Sequence, residues 1–343
     1  MVQLAVTIKD IAKIAGVSHS TVSRALSGNL AIAPETVARI EQVAEDLGYV
    51  PSAVARGLKT SRSQALGVIV SRIDDQFFSE ILQGIEDVSR EAGYSLFVAA
   101  SNREFKREQS IVRAMGERRV DGLIVCSTHF GIEHGQQLQK YDIPIVTVDN
   151  QAPGGFQHSI YHDNFSGSCQ VTRHLLEIGH KRIAYLGNKR SGRTTQERLK
   201  GFRHEMSAAQ LAMPDEYVFH GPDGRPNGGV VGAQHFLSLP ELPTAIVCFN
   251  DMMAIGVIHT LQQADLRVPE DCSVTGFDDI TFAAYAHPPL TTFEQPKYQL
   301  GYEAAQMMMK KLDPTSENAP DSQPEMRVLS GKLVIRQSTA PPP

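Results

Sequence analysis

The sequence predicts an all-α headpiece with a helix-turn-helix, followed by a larger two-lobed α/β body built on two doubly wound parallel sheets. Three observations lead there. Two short capped amphipathic segments meet at a glycine before Ser27; basic charge gathers in the same region; and beyond residue 64, two successive series of apolar strand-like runs alternate with helical periods. With 343 residues, 41% of them hydrophobic, the chain can bury more than one core.

The stretch TIKDIAKIAGVSHSTVSRALSG supplies the first two helices. Thr7 caps the first, Asp10 favours its positive end, and Ile8, Ile11, Ala12 and Ala15 form one apolar stripe before Gly16 stops it. Val17 leads into Ser18, a second cap, after which Ser18, Thr21, Val22, Ala25 and Leu26 share one arc and His19, Ser20, Ser23 and Arg24 the opposite one. That polar arc has no acidic group to repel phosphate. Arg can bond both acceptors of guanine, and His and Ser can reach base edges or phosphates, as major-groove reading requires. Thr7 and Ser18, at helix starts where an anion is favoured, join the DNA-facing candidates. Any short polar face taken alone is more often simply solvated; here the ordered recurrence of cap, stripe, glycine turn, cap and polar face favours DNA. A third helix runs from Pro34 through Val37, Ile40, Ala44 and Leu47 to Gly48, closing the headpiece at about residue 50. Residues 51–64 then read as a linker with a helix of barely two turns, from Pro51 to near Lys59. Gly57 inside it costs roughly 1 kcal/mol relative to alanine, so it is expected to form mainly on DNA.

From Ala65 to the end, strand-like ALGVIVS, YSLFVAAS, VDGLIVCS and PIVTVDN alternate with helices ending near Glu91 and Glu117 and a shorter third one. A second series places SIYHDN, RIAYLGN, TAIVCFN and SVTGFDD among helices ending near Gly179, Leu211, Leu239 and Asp265. The expected lobes are 65–162 with 293–325, and 163–292 with 326–338; MRVLSGKLVIRQS reads as one last strand and TAPPP as disordered. Ligands bind such sheets at the carboxyl ends of their strands, so the cleft between lobes is the candidate site. Polar strand-end residues are its candidates: Asp149, Asn250, Asp251, Asp278 and Asp279, with Arg193, Thr194 and Arg198 at the start of a long helix. These groups can grip a pattern of hydroxyls while Phe77 or Phe78 covers an apolar ring face. Asp251 and Asp279 are assigned to helix capping, and His129, His158 and His162 to surface or core. The run GPDGRPNGG lacks the G-K-[ST] ending of a phosphate loop.

Charge and motifs exclude other classes. The net charge of −5 divides into seven Lys/Arg against five Asp/Glu up to Arg62 and 26 against 33 beyond it, so the headpiece alone is basic. No apolar run approaches the roughly 20 residues of a membrane span, and Met1 to Asp10 lacks a signal core, which reads as cytoplasmic with no membrane partner. Cys126, Cys169, Cys248 and Cys272 show no metal spacing and read as buried hydrophobes. Neither G-x-S-x-G, H-E-x-x-H nor G-x-G-x-x-G occurs, so neither an enzyme nor a cofactor is expected. A periplasmic solute-binding protein would share the body but carry an export signal in place of the headpiece.

TIKDIAKIAGVSHSTVSRALSG and LGYVPSAVARGL, followed in order by VDGLIV, LLEIGHKRIAYLG, RLKGF, PTAIVCFNDMMAIG, RVPEDCSVTGFDD and PLTTFEQP, closely resemble the lactose/galactose repressor (LacI/GalR) family over essentially the whole chain. The resemblance implies a periplasmic-binding-protein-like body and a transcriptional regulator whose operator affinity responds to a small effector. It implies that His19, Ser20 and Arg24 read bases, with Thr21 and Ser23 near phosphates, and that Leu58, beside Ala55 and Arg56, wedges into the minor groove. It carries Asp149, Thr194, Arg198, Asn250 and Asp278 into the effector site. PSAVARGLK resembles the purine-sensing branch, yet Gly192 and Asp223 stand where an arginine and an aromatic would clamp a purine, so a sugar or sugar derivative is the preferred effector. Pseudo-palindromic operators demand two headpieces, hence a homodimer; no leucine-heptad segment for a tetramer follows the body.

Overall fold

The computed structural model describes residues 6–27, 31–49, 62–126, 141, 143–149, 158–313 and 325–343. Its contacts divide the chain into two units, Met1–Ser63 and Gln64–Pro343.

In the first unit, α1 (Ile8–Ala15), α2 (His19–Ala25) and α3 (Pro34–Asp46) close on fully buried Ile11, Val22 and Ile40, ringed by Ala12, Ala15, Ala25 and Ala44. The ends are set locally. Asp10 accepts from the Thr7 amide at 2.8 Å and the Thr7 hydroxyl at 2.7 Å, the Ser18 hydroxyl oxygen accepts from the Thr21 amide at 3.1 Å, and Gly16 turns between the helices at φ +66°. The expected linker helix lies outside the described residues.

In the second unit, β1 (Ala65–Val70), α4 (Gln76–Glu91), β2 (Ser95–Ala100), α5 (Phe105–Glu117), β3 (Gly122–Cys126), β4 (Ile145–Val148) and β5 (His158–His162) begin the first lobe. The chain then crosses into α6 (Asn164–Glu177), β6 (Ile183–Asn188), α7 (Gly192–Ala208), β7 (Val218–Gly221), α8 (Pro226–Leu237), β8 (Ala245–Cys248), α9 (Asp251–Gln263) and β9 (Ser273–Thr275). After β10 (Thr292–Glu294), α10 (Lys297–Leu312) and β11 (Glu325–Leu329) return to the first lobe, and β12 (Lys332–Val334) pairs antiparallel with β10. The six-stranded sheet has order β11-β5-β4-β3-β1-β2 and the four-stranded one β7-β6-β8-β9, both wholly parallel. Strand order reverses beside β1 and β6, which opens the crevice at the strands' carboxyl ends. β1 and β3 are buried at every residue, because helices cover both faces of the sheet. On one face α4 and α10 pack so closely that a Cβ on Gly301 would meet the Ile81 carbonyl oxygen at 1.9 Å, and one on Gly84 the Tyr298 oxygen at 2.2 Å.

Three expectations need correcting. MRVLSGKLVIRQS is two strands in different sheets, because the chain leaves β11 at Ser330-Gly331; residues 325–329 therefore stay with the first lobe. Phe293 belongs to the second lobe, in the core formed with Val171, Tyr185, Phe202 and Phe277, so the return crossing follows Glu294. TAPPP is docked, not free. The Ala340 carbonyl lies 2.9 Å from His180 Nε2, the Ala340 amide donates to Ser273 at 3.1 Å, and the Thr339 hydroxyl lies 3.1 Å from His174 Nε2.

This docking should be sensitive to acid. Burial holds the His174 and His180 imidazoles below the ordinary histidine value, so the unfolded chain binds more protons in acid. The stability they contribute is complete above about pH 6.5 and declines as pH falls below it. Urea midpoints from pH 8 to 5 should show that decline, flattened in His180→Gln; a wild-type slope in the variant would refute the assignment.

Candidate functional site

The first unit presents its reading face on α2. His19, Ser20 and Arg24 are exposed and Thr21 and Ser23 half-buried, while Val22 and Ala25 face the core. The Ser18 hydroxyl is engaged by those of Ser20, at 2.7 Å, and Thr21, at 2.8 Å. Ser18 and Thr7 are thus exposed caps that hold the helix starts. Ala55, Arg56 and Leu58 lie outside the described residues.

In the second unit, a cavity of about 290 Å³ opens between the lobes at the carboxyl ends of both sheets. Phe77, Phe78, Asp149, Thr194, Arg198, Asn250 and Asp278 all line it. Arg193 does not; one residue before Thr194 on α7, it points outward and is exposed, so its place among the site residues is withdrawn. Asp149 follows β4 at φ +53°, and Asn250 caps α9, its side-chain oxygen accepting from the Met253 amide at 3.0 Å and its amide donating to the Gly224 carbonyl at 3.1 Å.

Arg198 is the centre of the lining. It lies 4% exposed, its guanidinium carbon 3.7 Å from the Phe277 ring centroid and 4.6 Å from that of Phe249. Its Nε donates to Asn164 at 2.8 Å, Nη1 donates to the Phe249 carbonyl, and Nη2 stands 3.6 Å from the Asp278 carboxylate. Burial pulls the guanidinium below its ordinary value, opposed by Asp278, and pushes the Asp278 carboxyl well above the carboxylate range against the pull of Arg198. The Gln295 amide donates to the same Asp278 carboxylate. Burial likewise raises Asp75, which caps α4 through the Phe77 amide at 3.1 Å.

Several lining residues escaped the sequence reading, among them Arg72, Asp75, Arg103, Asn188, Ser191 and Arg225. Arg103 crosses the cleft: from the β2–α5 loop its Nη1 donates to the Arg190 carbonyl at 2.6 Å and the Ser191 hydroxyl at 2.7 Å. Arg225 approaches Asp74 at 3.9 Å in the opposite sense, from the second lobe to the first. Asn188 ends β6 and so falls under the strand-end rule, whereas the others lie in loops with no periodic pattern to expose them. GPDGRPNGG, rejected as a phosphate loop, instead brings Asp223, Gly224 and Arg225 to the cavity wall.

Two carboxylates assigned to capping do other work. Asp251 is buried behind the cap Asn250, where it accepts from the Ile280 amide at 2.8 Å and the Thr292 hydroxyl, tying α9 to the return crossing; Asp279 pairs with Arg336 at 2.7 Å. His158 lies 2.7 Å from Lys311 and His162 3.4 Å from Asp149, both buried and outside the cavity lining, while His129 is not among the described residues. The four cysteines are buried free thiols. Among the described residues no helix is long and apolar enough to cross a membrane.

A three-helix unit with a capped, outward polar helix, joined to a two-lobed parallel-sheet body with a polar cleft, defines a DNA-binding regulator with a ligand-binding body. Residues 7–52 match the model of bacterial regulatory proteins of the lacI family, and residues 172–339 that of a periplasmic binding protein-like domain. The HTH-type transcriptional repressor PurR of Photobacterium profundum is 35% identical over 335 residues, covering 97% of this chain and 98% of that protein. A lac repressor dimer bound to operator and the anti-inducer ONPF superposes with a TM-score of 0.85 at 26% identity, over 98% of this chain and 99% of that one. An Enterococcus faecium LacI-family regulator with bound ribose gives 0.71 at 26% identity, over 81% and 99%. The chain belongs to the lacI family of transcriptional regulators.

Arg198→Met leaves Asp278 without its cation and the Phe277–Phe249 slot unfilled by charge. Breaking such a buried pair costs about 3 to 5 kcal/mol. The urea midpoint should fall accordingly, and a wild-type midpoint would show that the pair is not held as described.

Proposed function

We propose that this protein represses transcription by binding a pseudo-palindromic operator as a homodimer, under control of a sugar or sugar derivative held in the cleft. The observation that carries the reading is the convergence of Asp149, Thr194, Arg198, Asn250 and Asp278 on one cavity at the carboxyl ends of both sheets. Fixed donors and acceptors of both kinds suit a ligand made of hydroxyls. The aromatic lining is one-sided. Phe77 and Phe78 meet edge-on, with centroids 5.2 Å apart at 80°, and the Phe249 ring is occupied by Arg198. Such a wall covers one face of a sugar ring better than it sandwiches a flat base. The ribose-bound relative supports the same class.

A purine effector is the second reading, favoured by the PurR name of the 35%-identical relative. Calorimetric titration with D-ribose, cellobiose, guanine and hypoxanthine separates them. Heat with a sugar is expected, and uptake of a purine alone would replace this reading with the second.

For the operator, Arg24 on the exposed arc of α2 is assigned a guanine, Thr21 and Ser23 the phosphates, and Leu58 the minor-groove wedge. Arg24→Ala should weaken operator binding by about 1 to 3 kcal/mol and relax preference at one base position, measured by selection from a randomised duplex pool. Unchanged selectivity would remove Arg24 from the reading face. The homodimer draws on exposed apolar side chains of the body: Phe97 and Val98 on edge strand β2, and Phe282 and Tyr285 on the turn Thr281–Tyr285. Sedimentation at twice the chain mass is expected, with loss of that species in Tyr285→Asp; a monomer that still binds a palindrome tightly would count against it.

A further inference from the structure

Asp278 and Asp279 carry consecutive positive φ angles, +117° and +49°. L-residues adopt such angles at a cost, so something outside the loop must hold them. In this conformation the two carbonyls converge on one point, where Lys297 Nζ donates to Asp278 O at 2.6 Å and Asp279 O at 2.9 Å. Lys297 is 3% exposed and opens α10, a first-lobe helix, whereas the loop belongs to the second. Its remaining partner, Glu80 on α4, stands 3.5 Å away, also in the first lobe. A buried ammonium is tolerated only where its charge and its donors are met, and here two carbonyls accept from it while Glu80 faces its charge. The two helices that carry Lys297 and Glu80 are fixed against each other by the backbone contact at Gly84 and Gly301.

We propose that Lys297 is a positioning residue for the effector site: from the first lobe it sets the backbone of the second at Asp278 and Asp279, and so aims the Asp278 carboxylate into the cleft. This rests on the cleft reading given above. No other lysine lines or adjoins the loop through a bond of this kind among the described residues. A ligand that engages Asp278 then meets a carboxylate held from both lobes, by Lys297 through the backbone and by Arg198 and Gln295 through the side chain.

Amide hydrogen exchange on the full-length protein tests this without a ligand. The Asp278 amide donates to Phe293 O at 2.9 Å and the Ile280 amide to Asp251 at 2.8 Å, so both report the loop. Lys297→Met should speed exchange at both by roughly tenfold or more. Lys297→Arg, which keeps charge and donors, should restore most of the protection. Glu80→Gln should give a smaller increase and serves as the second variant if Lys297→Met does not fold. In calorimetry, Lys297→Met should lose roughly tenfold or more in affinity for whichever of D-ribose, cellobiose, guanine or hypoxanthine the wild type takes up, with Lys297→Arg in between. Wild-type protection in both Lys297→Met and Glu80→Gln overturns the proposal, as does a loosened loop with unaltered affinity. If the wild type takes up none of the four compounds, the cleft reading fails instead, and the exchange data still decide whether Lys297 sets the loop.

Discussion

The cleft between the lobes is organised around one buried cation. Arg198 lies in the second lobe against the rings of Phe277 and Phe249, with an amide oxygen and a carbonyl on its donors and the Asp278 carboxylate beyond them. Burying a guanidinium is unfavourable unless its fork is matched, and this one is matched mostly by fixed groups of its own lobe. Neutral partners cannot satisfy its charge. The carboxylate that does so stands at the cavity wall, so the group that balances the core is also one a ligand can reach. The same burial that strengthens the pair disfavours both charged forms, which ties the fold's stability to the polarity of its site.

Local signals in the sequence wrote the headpiece almost completely. Caps at Thr7 and Ser18, the glycine at 16 and the Pro34 start are each decided within a few residues, and the apolar stripe follows from helical spacing alone. The parallel sheets were legible for a related reason: β1, β3 and β6 are continuous apolar runs because helices cover both faces. β7 was not, since it is a short edge strand, half-buried, with no alternation to mark it. The single last strand was misread because Ser330-Gly331 interrupts no hydrophobic pattern, although it sends the chain to another sheet. TAPPP looked disordered by composition; its order comes from buried histidines more than 150 residues away in sequence, which no local rule reveals.

The site divides along the same line. Residues that follow a strand or begin a helix, such as Asp149, Thr194 and Asn250, could be placed from the elements they terminate. Arg193 was misplaced by the same method, because one step along α7 turns a side chain by about 100° and carries it from cleft to solvent. Arg103 and Lys297 could not be found at all. Each acts on the opposite lobe, and their partners are mostly backbone carbonyls, which have no residue type to recognise.

The interleaved path of the chain has a consequence for its biosynthesis. The first lobe opens the body, yet α10, which covers β3, β4 and β5, and the outermost strand β11 are encoded after the whole second series. Leu66, Val68, Ile124 and Val146 therefore leave the ribosome without Leu300, Ala304 and Met308 to cover them. The second lobe completes its four-stranded sheet at β9, before that cover exists. The first lobe thus keeps an apolar sheet face in water until α10 emerges, and the second lobe in turn waits for β12 and the docked C-terminal residues to close its core.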